Sequence, residues 1–141
     1  MSQFFEFVIN HWMLSLAFVV LLGLFIANEF GQRFRGFADV SPVDATRLIN
    51  HEDAVLLDIR EDKEYREGHI LNARHIPLNM LGDRLRELEK FKGKPIIAYC
   101  RSGHRSARAC ALLRKHGFES VYNLGGGIMA WQNANFPVNK K

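Results

Sequence analysis

Short apolar runs at residues 54–59, 95–99 and 121–124 punctuate the chain, and the stretches between them carry helical spacing and helix-start signals. An apolar run of strand length at 54–59 suits a strand buried on both faces, which is the condition of a parallel sheet. Strands alternating with helices over roughly a hundred residues imply an α/β fold: an open, mainly parallel β-sheet with helices on both faces. Residues 37–40 predict one further short strand. Ser41, Pro42 and Asp44 then predict a helix start, with a cap hydroxyl, proline at the first helical position and an acid three residues after the cap. That helix is expected to reach residue 50. A short helix is predicted over 62–67 and a brief edge strand over 74–78, ended by its proline. Leu81, Leu85, Leu88 and Phe91 fall at helical spacing. Residues 106–115 predict another helix with Gly117 past its end, and the triple glycine at 125–127 predicts a turn before a helix through Trp131.

The amino-terminal part is of another kind. Residues 12–27 are apolar except for Ser15 and Gly23, and residues 7–9 extend the run across Asn10 and His11. At about 1.5 Å of rise each, residues 7–27 cover the roughly 30 Å hydrocarbon layer of a bilayer. Apolar side chains occur on all sides of this helix rather than along one stripe, which argues against an interfacial amphipathic helix. The leader carries Glu6 and no basic residue, and Ile26, Ala27 and Asn28 make a poor cleavage site, so an anchor is expected rather than a signal peptide. The expected organisation is one transmembrane anchor at 1–29, a juxtamembrane linker at 30–36 and a folded domain at 37–141. All 19 Lys and Arg residues lie from Arg33 onward. Arg33 and Arg35 flank only the carboxyl end of the apolar run, so the positive-inside rule places the amino terminus outside and the domain in the cytoplasm. The chain is thus expected to be a single-pass membrane protein, in the inner membrane if its source is bacterial.

Charge limits the partners. The net charge of +4 is small, and the acids Glu52, Asp53, Asp58, Glu61, Asp62, Glu64 and Glu67 oppose the basic residues, so no nucleic-acid partner is expected. Two cysteines ten residues apart make neither a disulfide framework nor a zinc spacing. A single reactive thiol suits a reducing compartment. His69 has no second ligand at metal spacing, and the triple glycine lacks the Lys-Ser or Lys-Thr of a phosphate loop. Neither a metal nor a cofactor is expected.

Cys100 is the nucleophile candidate. It ends an apolar strand and opens a loop of Arg101, Ser102, Gly103, His104 and Arg105, which runs into a helix. A thiol in that position faces unpaired loop amides and the positive end of the helix, and both favour thiolate. From residue 90 to 118 there are eight Lys or Arg residues and no acid, which adds a positive field. Cys110 lies among Ala107, Ala109, Ala111 and Leu112 on the following helix and is expected in the core. Asp58 and Arg60 mark the carboxyl end of the 54–59 strand, the end at which such sheets bind ligands.

Taken together, Leu57-Asp58-Ile59-Arg60, Glu64-Tyr65, Gly68-His69-Ile70, Ala73, Ile76-Pro77, the loop from Cys100 to Arg105, and Gly126-Gly127 with Trp131 resemble a single-domain rhodanese. The resemblance covers residues 40–138 and leaves the amino-terminal span outside it. Asn72 stands where the family commonly has glycine and His75 where it commonly has asparagine; Asn tolerates positive φ, so the first change is mild. The resemblance implies the rhodanese fold and a sulfurtransferase in which Cys100 carries sulfur as a persulfide. Its partners would be an anionic sulfane donor such as thiosulfate, a thiol or cyanide-like acceptor, and the bilayer through residues 7–27. Loop amides of residues 101–105 would cradle the sulfur, and Gly103 would let the loop curl tightly. Arg101 and Arg105 would bind the anionic donor, with His104 a lesser member of the site. Asp58 and Arg60 would brace the cradle by pairing with Arg105 or with each other. A cysteine phosphatase is a competing reading, but its loop needs five residues between Cys and Arg, and four separate Cys100 from Arg105. A third reading is a non-catalytic rhodanese-like adaptor recruiting partners to the membrane; the intact Cys100 and basic loop argue against it.

Overall fold

A computed structural model describes residues 1–140, apart from the side chains of Gln32 and Arg33. The flanking charge of Arg33 therefore lies outside the described residues, as does Lys141. The chain divides into two compact units, Met1–Phe34 and Arg35–Lys141. The first holds helix α1, Ser2–Asn10, and helix α2, Trp12–Phe34. His11 between them leaves helical geometry at φ −123° and ψ 43°. The apolar run expected over 7–27 is thus interrupted, and the helix long and apolar enough to cross a membrane is Trp12–Gly31, with mean hydropathy 2.1 and no part buried. Residues 30–34, expected as linker, continue this helix. Gly31 does not stop it, since one glycine costs a helix only about 1 kcal/mol relative to alanine. The chain turns at Gly36, where φ is +75°.

The second unit runs β1 Ala38–Val40, α3 Pro42–Glu52, β2 Val55–Asp58, α4 Asp62–Glu67, β3 His69–Ile70, β4 Arg74–His75 and α5 Leu78–Leu81, then a 3₁₀ helix Leu85–Phe91. It continues with β5 Ile96–Tyr99, α6 His104–Lys115, β6 Val121–Leu124, α7 Gly127–Asn133 and β7 Val138–Asn139. Five strands form one sheet in the order β1-β6-β5-β2-β4, and every neighbouring pair is parallel. Helices cover both faces. Successive residues of the middle strand β5 point to opposite sides, as the two-residue period requires. Ile96 and Ala98 join the core built with Leu81 of α5, Leu85 and Leu88 of the 3₁₀ helix, and Ala109, Cys110 and Leu113 of α6. Ile97 and Tyr99 join the other core, with Ala45 and Leu48 of α3 and Ile128 and Trp131 of α7. All four β5 residues are fully buried, which is why this segment is apolar throughout. Cys110 sits in the core, as its neighbours on α6 predict.

Local signals place most boundaries. Ser41 Oγ accepts the Asp44 amide at 3.1 Å and Pro42 opens α3. Asn72 adopts φ +65°, the left-handed backbone that asparagine tolerates. Two expectations change. The apolar spacing over 81–91 is not one helix: α5 ends at Leu81, and Leu85, Leu88 and Phe91 lie on a 3₁₀ helix, whose three residues per turn keep that spacing on one side. Helix α6 begins at His104, two residues before the expected 106, because Gly103 at φ +103° makes the turn in a single step. A small antiparallel ribbon of β3 with β7 closes the chain end onto the domain, and strands of two residues are too short to show a period in the sequence.

Candidate active site

Parallel β5 delivers Cys100 to the carboxyl edge of the sheet, and α6 begins four residues later. Gly103, in left-handed backbone, folds the loop back so that its amide donates to Cys100 Sγ at 3.0 Å. The Ser106 Oγ lies 3.5 Å from the same sulfur, and Cys100 is only 1% exposed. Burial opposes ionisation of this thiol, but the Ser106 hydroxyl and the amides of Ser106, Gly103 and Ser102 outweigh it, and the thiol falls below its ordinary value. The stabilisation comes mainly from hydrogen bonds, the loop amides expected from the sequence together with the Ser106 hydroxyl, rather than from the basic side chains. Burial dominates at Cys110, whose thiol is pushed up to about 12.

The loop rests on the start of α7. The Ile128 amide donates to the Cys100 carbonyl at 2.9 Å and the Met129 amide to that of Arg101 at 3.2 Å. Any Cβ on Gly127 would collide with those same two carbonyl oxygens, and the residue holds φ +60°. The glycine turn is thus the floor of the cysteine loop.

Asp58 and Arg60 pair with each other, not with Arg105. Arg60 Nη2 donates to Asp58 Oδ2 at 2.7 Å and Nε to Oδ1 at 3.0 Å, and Nη2 also donates to the Gly68 carbonyl at 2.7 Å. Both residues are buried, and the Asp58 pairing outweighs desolvation and holds the guanidinium charged. Arg105 takes a partner that sequence reasoning missed. Its guanidinium donates to both oxygens of Glu64, at 2.7 and 2.8 Å. That bidentate bond draws the Glu64 carboxyl down to about 2 and raises Arg105 above its ordinary value. Glu64 and Arg105 lie 41 residues apart, so no local pattern could pair them. Ser106 and Asn123 were missed likewise: the Ser106 hydroxyl bonds Asn123 Oδ1, joining α6 to the end of β6.

Arg101, Ser102 and His104 are exposed. Among the described residues, Arg101 and His104 make no ion pair. The loop stands between two open clefts, one of about 580 Å³ that includes Ser102, Gly103, His104 and Arg108, and one of about 420 Å³ that includes Arg60, Glu64 and Arg101. The arrangement can hold an anionic sulfur on amide donors while guanidinium groups meet an anionic reactant from outside.

Such a fold and site define a class: α/β domains with one cysteine cradled by amides at the carboxyl end of the middle strand. The chain belongs to the rhodanese family, whose model, the rhodanese-like domain, matches residues 41–134. It is 34% identical over 139 residues to the uncharacterized Escherichia coli protein YibN, a match spanning 98% of this chain and 97% of that one. The similarity to YibN therefore takes in the amino-terminal helices as well. A sulfurtransferase of Allochromatium vinosum is 40% identical over 92 residues, covering 65% of this chain and 84% of its own. The rhodanese-related protein of Thermoplasma volcanium superposes with a TM-score of 0.67 at 29% identity, over 74% of this chain and 99% of that one. Family and relatives together support sulfurtransferase activity in general.

Proposed function

We propose that this protein is a membrane-anchored sulfurtransferase that carries sulfane sulfur as a persulfide on Cys100. The observation that carries the proposal is the Gly103 amide on Cys100 Sγ at 3.0 Å, in a loop whose donors bring the thiol below its ordinary value. Cys100 thiolate attacks the outer sulfur of thiosulfate. The donor's sulfur–sulfur bond breaks, sulfite leaves with the electron pair, and Cys100 keeps a terminal persulfide anion. An acceptor thiolate or cyanide then attacks that outer sulfur and Cys100 departs as thiolate, ready for another donor.

The amides of Ser102, Gly103 and Ser106 stabilise each sulfur anion in turn. Arg101 meets the incoming anion from the exposed side of the loop. Arg105, held in place by Glu64, presents its remaining N–H groups to the same oxyanion. His104 borders the approach. Asp58 and Arg60 brace the wall beside Tyr99, where the Arg60 guanidinium lies 5.7 Å from the ring centre.

Anchoring is supported by α2, whose described apolar side chains are largely exposed. Exposed apolar surface on that scale needs a nonaqueous partner, and a bilayer fits its length. We place the amino terminus outside and the domain, from Arg35 onward, in the cytoplasm. Mass spectrometry after exposure to thiosulfate tests the chemistry: one added sulfur on the peptide holding Cys100, lost on cyanide treatment with release of thiocyanate, is expected. An unmodified Cys100 under turnover conditions would overturn the proposal.

A further inference from the structure

Behind Cys100 a line of polar groups continues past Ser106. Ser106 is fully buried, and its Oγ touches both Cys100 Sγ, at 3.5 Å, and Asn123 Oδ1. Asn123, 5% exposed, directs Nδ2 to Asp39 Oδ1 and to the Gly103 carbonyl, each at 3.1 Å. Chemistry fixes the amide's orientation. A carboxylate and a carbonyl have no hydrogen to give, so the nitrogen faces them and Oδ1 faces Ser106. Oδ1 has no hydrogen either, so while Cys100 is a thiol Ser106 donates its single proton to Asn123 and turns a lone pair toward the sulfur, and its donation to Sγ belongs to the thiolate state. A thiol can use that lone pair as an acceptor. A thiolate cannot, because it needs a donor.

We propose that Asn123, oriented by Asp39, is a positioning residue that sets which way the Ser106 hydroxyl faces, and thereby how readily Cys100 gives up its proton. In the thiol state Ser106 stays on Asn123. When the proton of Cys100 passes to solvent, the hydroxyl rotates about its Cβ–Oγ bond, leaves Asn123 and donates to the sulfur anion. Asn123 thus competes with the sulfur for one proton and opposes ionisation, while the loop amides favour it. Other charged or titratable groups of the site are Arg101 in the loop, His104, Arg105 and Cys110 on α6, Glu64 on α4 and the Asp58–Arg60 pair at the carboxyl end of β2. The inference rests on Cys100 as the nucleophile proposed above.

The test is a double-mutant cycle on the full chain, read as the rate of Cys100 alkylation by iodoacetamide against pH, with the labelled peptide identified by mass spectrometry. Those other groups are common to every member of the cycle and cancel. Asn123→Leu should shift the midpoint to lower pH and speed alkylation below it by about threefold to tenfold, the worth of one hydrogen bond. In the Ser106→Ala background the same substitution should change nothing. An unchanged midpoint in Asn123→Leu, or an equal shift with and without Ser106, would overturn the proposal. Asp39→Asn makes a second cycle at an exposed position, and covers the case in which Asn123→Leu fails to fold. Removing the carboxylate weakens the pull of Asn123, so the midpoint should again fall, by less once Ser106 is alanine. A shift indifferent to Ser106 would count against the mechanism. Alkylation needs no sulfur donor, so a folded protein that transfers no sulfur still gives a result here, and the two proposals fail separately.

Discussion

Cys100 and Cys110 are equally shut off from water, at 1% and 0% exposed, yet their surroundings push them in opposite directions. Amides and a hydroxyl surround the first sulfur, and apolar side chains the second. Cys100→Ser should abolish thiocyanate production from thiosulfate and cyanide, while Cys110→Ser keeps most of it. Equal loss in both variants would remove the assignment. The Arg105–Glu64 pair makes a separate prediction about stability. Because Glu64 titrates at about 2 in the fold against 4.5 in the free side chain, its stabilisation is present above that free value and disappears as pH falls toward about 2. The pair is partly open to water, so the amount is about 1 kcal/mol or less. Glu64→Gln should flatten that stretch of the curve of urea midpoint against pH. For activity, the role proposed for Arg105 predicts that Arg105→Ala raises the KM for thiosulfate by about tenfold, the worth of charged hydrogen bonds to an anionic donor; steady-state rates would show it.

Among elements, the junction of β5, the loop and α7 is the least tolerant of change. Gly127→Ala would drive a methyl into the carbonyls of Cys100 and Arg101 and strain a left-handed backbone. A loss of about 2–4 kcal/mol is expected, together with sulfur transfer, since the loop must shift to make room. Gly82 is the control. It has ordinary helical backbone, and a methyl placed there would meet nothing within 4 Å, so Gly82→Ala should be neutral or stabilising by up to about 1 kcal/mol. Chemical denaturation of the two variants separates these outcomes, and equal losses would show that the glycine turn is not the floor of the site. Loop order also follows from this packing, because Ile128 and Met129 hold the Cys100 and Arg101 carbonyls before any substrate arrives.

For the whole molecule the question is where the two units reside. If α2 crosses a bilayer, the full chain should stay with membranes through high salt and alkaline carbonate, and a shortened chain beginning at Arg35 should be soluble and active. Release of the full chain by carbonate would mean that α2 lies on a surface rather than across it. Orientation has its own measurement. A membrane-impermeant maleimide added to intact cells should leave Cys100 unlabelled until lysis, and labelling beforehand would place the domain outside.

The succession along the chain of the main strands and helices, the cap at Ser41, the glycine Gly117 past the end of α6, and the position of Cys100 at a strand end were legible in the chain because each depends on neighbours in sequence. Periodicity, capping and turn chemistry act over a few residues. The apolar helix was legible too, although its break at His11 and its extension to Phe34 depended on backbone detail that hydropathy does not carry. The partners within the site were decided by tertiary structure alone. Glu64 reaches Arg105 across 41 residues, Asn123 reaches Asp39 across 84, and Gly127 fits beneath Cys100 because two parallel strands end side by side. Which carboxylate meets which guanidinium depends on strand order in the sheet, and a local pattern that specifies a strand leaves that order open.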